Sequence, residues 1–177
     1  SYQTPKLYAS FSDRGFSGLS SCFHRYVRSH ILSESVKSKP RPIHYNTWEG
    51  IYFDHNINTL KALADQVAEL GIERFVLDDG WFNGRRGDKA GLGDWFVDKT
   101  IYPQGLSPII DHVNNNGMEF GLWFEPEMVN PDSDLYRKHP DWVLSVAGSE
   151  QLKFRNQLVL DLTRKEVTEY LFNTIND

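Results

Sequence analysis

One short apolar run, which ends abruptly in carboxylates and an aromatic residue, constrains this chain more than any other feature. Residues 75–77 read Phe-Val-Leu, and Asp78, Asp79, Gly80 and Trp81 follow directly. A run without polar alternation, set between helical patterns, predicts a strand buried on both faces, as in parallel α/β sheets. Ligands bind such sheets at the carboxyl ends of the strands, and Gly80 allows a sharp turn there. We therefore predict a binding site at Asp78 and Asp79, with an ordinary buried strand and Asp-Gly turn as the alternative.

The composition argues against several classes of protein. The 177 residues are 40% hydrophobic and 24% charged, as is usual for a soluble globular domain. A net charge of -5 with 19 Lys and Arg argues against a nucleic-acid partner, which needs clustered positive charge. There is no run of about 18 apolar residues and no charged-then-apolar leader, so we expect neither a membrane span nor export. Cys22 is the single cysteine and favours a reducing compartment, so the predicted location is cytoplasmic.

The first part of the chain differs in pattern from the rest. It holds aromatic and Ser-rich patches without a clear helical stripe, and the alternation over residues 24–31 allows a strand. Residues 37–42 read Lys-Ser-Lys-Pro-Arg-Pro, and two prolines in three positions block both a helix and a sheet ladder. We therefore predict a linker and a domain boundary near Pro40, which divides residues 1–40 from residues 41–177.

Beyond this boundary, strand and helix patterns alternate. We predict three strands, over residues 43–47, 75–77 and 119–124. We also predict three amphipathic helices, the first over residues 58–70, the second from Ser107 or Pro108 to Gly117, and the third from Asp161 or Thr163 to Ile175. Residues 83–105 form a long loop, residues 131–140 hold at most a short helix, and the pattern leaves open how the apolar pieces 142–146 and 158–162 are arranged. Because the strands end in aromatic and acidic residues, we predict an α/β fold with its functional face at the strand carboxyl ends.

Carboxylates follow two of these strands, as Asp78 and Asp79 and as Glu125 and Glu127. A retaining glycosidase needs two carboxyl groups about 5 Å apart. Side chains of adjacent strand residues diverge, so Asp78 and Asp79 make a poor catalytic pair. They fit better as fixed acceptors for sugar hydroxyls. Magnesium or calcium binding is the competing use, but no His pair or Asp-rich loop accompanies the carboxylates.

Other catalytic chemistries have little support in the sequence. The six histidines lack the spacing of a zinc site, and a structural role is the default for each. No Gly-X-Ser-X-Gly motif occurs, and Cys22 lies before the alternating strands, so nucleophilic Ser or Cys catalysis is not indicated. Arg155 lies between two apolar pieces and, from its neighbours alone, is interpreted as a solvated surface charge.

Several longer motifs follow one another from about Pro42 onward. They are Trp-Glu-Gly at 48–50, Leu-Asp-Asp-Gly-Trp-Phe at 77–82, Gly-Leu-Gly-Asp-Trp at 91–95, Gly-Leu-Trp-Phe-Glu-Pro-Glu-Met-Val at 121–129, His-Pro-Asp-Trp at 139–142 and Leu-Val-Leu-Asp-Leu at 158–162. Together and in this order, they resemble the α-galactosidases, or melibiases, of glycoside hydrolase family 36. Residues 1–40 resemble the end of the β-sandwich domain that precedes the catalytic barrel in that family.

The resemblance implies a retaining hydrolase that removes terminal α-linked galactose from oligosaccharides such as melibiose and raffinose, without a metal or another cofactor. It implies that residues 41–177 are the first part, about three β/α units, of a (β/α)₈ TIM barrel. Bacterial members of the family are often tetrameric, so a homo-oligomer is expected. The candidate substrate-binding residues are Asp78 and Asp79 for the galactose hydroxyls, Trp48 and Trp123 as walls of the sugar pocket, and Arg155 from the loop after the third strand. This role replaces the interpretation of Arg155 as a surface charge.

The same resemblance places the nucleophile in a Lys-Trp-Asp strand and the acid/base on a later strand. Residues 1–177 contain no Lys-Trp-Asp sequence. We therefore expect a fragment that carries the sugar-recognition half of the site, holds no catalytic residue and is inactive alone. The alternatives are a non-catalytic galactose-binding or assembly module and a metal-dependent barrel enzyme.

Overall fold

A computed structural model describes residues 3–146, 148–151 and 153–176 of the chain. The chain forms two compact units, Ser1–Arg41 and Pro42–Asp177. No helix within the described residues is long and apolar enough to cross a membrane.

The first unit is helical over much of its length. Helix α1 spans Gly15–Tyr26, a π-helical turn continues it over Val27–Ile31, and helix α2 covers Glu34–Lys37. The strand allowed over residues 24–31 is therefore wrong, because this segment completes the helix.

The helical spacing of half-buried side chains explains this correction. Four half-buried side chains recur at intervals of three, one and four residues: Leu19, Cys22, Phe23 and Val27. Side chains at these intervals form one stripe on a helix. The stripe begins before residue 24, so the shorter window contained only part of it. The assignment of residues 1–40 to the tail of a β-rich domain stays a prediction.

The second unit is built on a parallel sheet of three strands. They are β1 (His44–Asn46), β2 (Arg74–Leu77) and β3 (Glu119–Leu122), in the order β1-β2-β3. The three predicted strands are thus confirmed, with the third ending two residues earlier than expected. On β2, Phe75 and Leu77 are fully buried, whereas Val76 on the opposite face is half-buried. The predicted burial is complete on one face of the strand only.

A short helix, α3 (Trp48–Ile51), follows β1. Helices α4 (Ile57–Glu69) and α5 (Ser107–Asn115) connect the strands and confirm the two helices predicted there. The side chain of Asn56 begins α4 by accepting hydrogen bonds from the backbone N–H groups of Asn58 and Thr59, which have no partner within the helix. The buried residues of α4 share one face: Leu60, Ala64 and Val67. The succession of strand, helix, strand, helix and strand makes the fold class α/β.

A second, antiparallel pair of strands follows the parallel sheet. It consists of β4 (Met128–Val129) and β5 (Leu158–Val159). Helix α6 (Asp134–Lys138) and a 3-10 turn (Pro140–Trp142) lie between them along the chain, and α7 (Lys165–Asn176) comes after them. The structure shows how the two apolar pieces are arranged. The second piece, residues 158–162, contains β5, and the first piece, residues 142–146, pairs with the second through one bridge, Val143 to Leu160. The predicted last helix is confirmed as α7.

The long loop over residues 83–105 packs into the core of the second unit. Leu92, Trp95 and Tyr102 in this loop are buried. Asp94, also buried, accepts hydrogen bonds from the backbone N–H groups of Asp134 (2.8 Å) and Leu135 (2.9 Å) at the start of α6. Burial raises the pKa of the Asp94 carboxyl. The loop after β2 is therefore held against the segment that follows β4.

Candidate functional site

The carboxyl ends of the three parallel strands meet at one edge of the sheet. The N–H group of Thr47 donates to the carbonyl oxygen of Val76, and the N–H group of Trp123 donates to that of Leu77, both at 3.0 Å. Each bond extends the ladder by one residue beyond a strand end. Asp78, the first residue after β2, therefore lies between the ends of β1 and β3.

A cavity of about 430 Å³ opens at this edge. Its lining residues are Asn46, Trp48, Glu49, Asp78, Asp79, Trp123 and Arg155. All five residues predicted from the sequence line this one cavity, although they come from four separate stretches of the chain. Small-molecule pockets typically measure about 300–1,000 Å³, so the space suits a ligand of that class.

Asp78 is held by three hydrogen bonds with neighbouring residues. Its backbone N–H group donates to Thr47 Oγ1 at 3.0 Å, and its carboxylate accepts from Asn46 Nδ2 and from the N–H group of Asp79. Asn46 Oδ1 in turn accepts from the N–H group of Trp48 at 2.8 Å. Asn46, the last residue of β1, thus holds the carboxylate of Asp78 and the backbone of Trp48 at once.

Asp79 is held by a buried arginine. The Arg85 side chain is 1% exposed and donates from Nε to Asp79 Oδ1 and from Nη2 to Asp79 Oδ2, both at 2.8 Å. Its guanidinium carbon also lies 5.4 Å from the ring centroid of Phe53 and 5.8 Å from that of Phe82. Two parallel bonds fix the rotation of a carboxylate as well as its position. Each carboxylate oxygen retains acceptor capacity for a ligand.

The aromatic residues of the site are themselves packed against other aromatic residues. Trp48 makes edge contacts with Tyr52 and Phe53, each with ring centroids 5.1 Å apart. Trp123 packs against Trp95 at 6.0 Å, and its carbonyl oxygen accepts a hydrogen bond from Trp81 Nε1 at 2.9 Å. Both indoles therefore face the cavity from supported positions.

Arg155 lies at the tip of a two-residue turn. Phe154 and Gln157 close the turn through reciprocal backbone hydrogen bonds of 3.2 Å and 2.9 Å. Arg155 and Asn156 have φ angles of 51° and 62°, the arrangement of a type I′ hairpin turn. Positive φ is costly for a side chain such as arginine, and backbone strain of this kind concentrates at functional sites.

Glu125 and Glu127 do not line the cavity. Burial, reinforced by the charge of Glu127, raises the pKa of Glu125, and Gln157 Nε2 donates to Glu125 Oε2 at 3.1 Å. These acidic residues therefore lie near the base of the Arg155 turn. Within the residues that the structure describes, no group of three or more His, Cys, Asp and Glu is arranged to hold a metal ion.

His55 packs against the turn that follows the two aspartates. Gly80 has a φ of 115°, and a Cβ atom at this position would lie 2.8 Å from His55 Nε2, so glycine is required on two grounds. His55 Nδ1 shares a hydrogen bond of 2.7 Å with the Tyr102 hydroxyl, and Nε2 is buried with no partner among the described residues. Burial and the charge of Arg86 lower the pKa of His55 to about 4. The imidazole is therefore neutral at pH 7.

Sequence reasoning missed three residues of this site: Asn46, Glu49 and Arg85. Asn46 could have been found, because it is a polar residue at the carboxyl end of a predicted strand. Arg85 had no such signal, because the stretch Asn-Gly-Arg-Arg-Gly-Asp has the composition of a solvated loop and nothing distinguishes Arg85 from Arg86.

Known proteins resemble this chain in sequence and in structure. A model of the melibiase family matches residues 1–177. An α-galactosidase of Escherichia coli is 52% identical over 169 residues, which are 96% of this chain and 24% of that protein. The crystal structure of the family 36 α-galactosidase AgaA of Geobacillus stearothermophilus matches with a TM-score of 0.87 and 47% identity, over 93% of this chain and 23% of that chain. This chain thus spans about a quarter of the length of these relatives, and it belongs to the melibiase family.

Proposed function

We propose that this chain is the sugar-recognition part of a retaining α-galactosidase, which hydrolyses terminal α-linked galactose from oligosaccharides of the melibiose and raffinose type. The observation that carries the proposal is the cavity at the strand ends, where three carboxylates, a guanidinium and two indoles face one space. Ionised carboxylates accept hydrogen bonds from hydroxyl groups in defined directions, and indoles offer flat apolar surface to the C–H face of a sugar ring. Crystal structures of AgaA variants with stachyose and with raffinose support an α-galactoside oligosaccharide as the ligand.

In this proposal, Asp78 and Asp79 bind galactose hydroxyls and do not attack the anomeric carbon. Asp78 is already bonded to Asn46 and to a backbone amide, and Asp79 is paired with Arg85. Such fixed acceptors suit hydroxyl recognition better than the separated carboxyl pair that retaining hydrolysis requires. Trp48 and Trp123 form the walls, and Arg155 contacts the sugar from its turn.

The proposal extends to the architecture of the complete protein. The β/α units of the second unit would be the first part of a (β/α)₈ barrel, and residues 1–40 would be the tail of a β-rich domain. The nucleophile and the acid/base would lie outside residues 1–177, which contain no Lys-Trp-Asp sequence. We also propose that the complete protein is a homo-oligomer, in the form of a tetramer. Its proposed location is cytoplasmic, in keeping with the lone Cys22.

The names of the relatives support an enzyme over a non-catalytic galactose-binding or assembly module, because relatives 52%, 46% and 44% identical to this chain are called α-galactosidases. An enzyme also accounts for the strained Arg155 in the cavity, since strain of this kind is retained where a precise arrangement is needed.

The test is an assay of the complete protein that contains this chain, with p-nitrophenyl α-galactoside as substrate and the β-galactoside and α-glucoside as matched controls. We expect turnover of the α-galactoside, with α-galactose as the first product observed by NMR, because retention preserves the anomeric configuration. Equal or faster turnover of either control, or β-galactose as the first product, would contradict the proposal.

A further inference from the structure

The guanidinium that holds Asp79 has a second set of partners on its far side. Arg85 Nη1 donates to Asn130 Oδ1 at 2.9 Å and to the carbonyl oxygen of Ala90 at 3.1 Å. Because Nε and Nη2 are both used by Asp79, the planar group cannot rotate without breaking bonds at both ends. Arg85 is therefore braced from behind while it orients the carboxylate in front.

Asn130, directly after β4, is the brace. Its side chain is fully buried, and its Oδ1 accepts from the N–H group of Leu92 at 2.9 Å as well as from Arg85. Its Nδ2 donates to the carbonyl oxygens of Asp88 at 3.2 Å and Asn156 at 2.9 Å. An amide side chain offers two acceptor sites and two donors, so every hydrogen-bonding site of Asn130 is occupied.

This network reaches two walls of the candidate site. One end is the carboxylate of Asp79, and the other is the carbonyl of Asn156, the residue next to Arg155 in the strained turn. The two residues that link these walls, Arg85 and Asn130, are not among the residues that line the cavity.

Stability alone gives little reason to bury such a network. Taking a guanidinium and a carboxylate out of water carries a large desolvation cost, and well-packed apolar residues often replace a buried ion pair without loss. The arrangement does achieve something that apolar packing cannot, because it sets the rotation of one carboxylate and the place of one turn through directional bonds.

We propose that Arg85 and Asn130 are positioning residues that hold Asp79 and the Arg155 turn in register for one ligand. The inference rests on the proposed function, since it takes galactoside hydroxyls as the groups that Asp79 and Arg155 contact. Arg85 and Asn130 do not touch the substrate in this scheme. Their substitution should weaken only those contacts that Asp79 and Arg155 make.

The variants that test this are Arg85→Lys, which keeps the charge but not the fork of donors, and Asn130→Asp, which keeps the shape but loses both donors. The complete protein is assayed on aryl α-galactosides that each lack one hydroxyl group. The variants Asp79→Asn and Arg155→Lys first identify the hydroxyl group that each residue contacts. Each variant should lower kcat/KM on the parent galactoside but not on the deoxy substrate that lacks the contacted hydroxyl.

We expect kcat/KM on the parent galactoside to fall about tenfold to hundredfold for Arg85→Lys, as for the loss of a charge-assisted hydrogen bond. This loss of kcat/KM should be smaller on the deoxy substrate that lacks the hydroxyl group identified with Asp79→Asn. For Asn130→Asp the fall in kcat/KM should be smaller on the substrate that Arg155→Lys singles out, because this variant loses the donor to Asn156 but keeps an acceptor for Arg85. Arg137→Lys is the matched control, since Arg137 pairs with Asp132 and Asp134 at the surface. This variant should leave all rates unchanged.

A merely structural role would lower the rates on all substrates by the same factor, and that result, or unchanged rates, would overturn the positioning role. Should Arg85→Lys fail to fold, Asn130→Asp carries the test, because it leaves the pair of Arg85 and Asp79 in place. Absence of turnover in the unsubstituted protein would instead overturn the proposed function, and this inference with it.

Discussion

The indole N–H group of Trp81 donates a hydrogen bond of 2.9 Å to the backbone carbonyl oxygen of Trp123. Trp81 lies just beyond the two aspartates that follow β2, and Trp123 follows β3 directly, so the bond ties together the ends of two neighbouring strands. The side chain of Trp81 is buried. Because an indole can only donate, phenylalanine at this position would leave the Trp123 carbonyl without this partner.

Trp81→Phe should therefore disturb the wall of the cavity from a distance. Losing this part-buried hydrogen bond should cost about 0.5–1.5 kcal/mol, and part of this should appear as a raised KM for an α-galactoside in the complete protein. Trp142→Phe is the control, since Trp142 is equally buried but packs against His139 and Tyr170. If both variants changed the melting temperature alone, the link between Trp81 and the site would be wrong.

Asp78→Asn should lower kcat/KM of the complete protein about tenfold to hundredfold, because it removes a charged acceptor of substrate hydroxyl bonds. Asp65→Asn, which alters an exposed carboxylate bonded to His112 and Asn116, should have no such effect. A fluorinated galactoside that traps the covalent intermediate should label neither Asp78 nor Asp79. A label on either residue, found by peptide mass spectrometry, would show that the recognition role is mistaken.

Arg155→Gly should separate stability from binding. Glycine adopts positive φ without strain, so the substitution should leave the free energy of unfolding unchanged or raise it by up to about 1 kcal/mol, while galactoside binding falls with loss of the guanidinium. Asn156→Gly relaxes the same turn and keeps the guanidinium, so it should retain much more of the binding. Calorimetric melting and substrate affinity are the two measurements. A variant Arg155→Gly that binds as well as the original protein would remove Arg155 from the site.

The stability of the complete protein should decrease as the pH is lowered from about 7 towards 4. The pKa of His55 is lowered to about 4 in the folded chain, against about 6.5 when unfolded. Between these values the unfolded state binds a proton that the folded state does not, so folding weakens as pH falls, by at most about 3 kcal/mol from this group. His55→Gln should flatten the pH dependence of the melting temperature, whereas His24→Gln, an exposed site, should not. An equal slope in all three proteins would contradict this assignment.

Residues 1–177 alone should hydrolyse no galactoside. The cavity carboxylates Asp78, Asp79 and Glu49 are each bonded to a neighbouring side chain, and Glu125 and Glu127 lie outside the cavity. The check is to purify this chain, verify its fold by circular dichroism and incubate it with p-nitrophenyl α-galactoside beside the complete protein. Turnover within about a hundredfold of the complete protein would show that a catalytic pair lies within these residues.

The parallel strands could be predicted because their signals are local. An apolar run such as residues 75–77 has few alternatives when it lies between amphipathic helices, and Gly71 and Gly117 mark the helix ends with positive φ. The region of Asp78 and Asp79 followed from the rule that ligands bind at strand ends. The resemblance to a family was needed to select Trp48, Trp123 and Arg155, because the strand pattern places the two tryptophans at strand ends without giving them a role and says nothing of Arg155. Their roles in binding stay predictions.

The remaining features depend on distant contacts that no local pattern encodes. Arg85 is buried because Asp79, Phe53 and Asn130 surround it, and those residues are up to 45 positions away along the chain. The turn at Arg155 has two non-glycine residues at positive φ, so it lacks the glycine by which such turns are usually found. The helix at residues 15–26 could not be predicted from residues 24–31 alone, because its half-buried stripe begins at Leu19.

β2 is the middle strand of its sheet and has hydrogen-bonded neighbours on both sides. Its amide hydrogens exchange with solvent only when both ladders separate, so this strand should be among the last parts of the second unit to open. Asp78 and Asp79 extend directly from it, whereas Arg155 is exposed on a two-residue hairpin tip. A ligand bound between them would meet one wall that stays in place and one that opens far more often. The lifetime of the complex would then be set by the opening rate of the hairpin rather than by the sheet that carries the carboxylates.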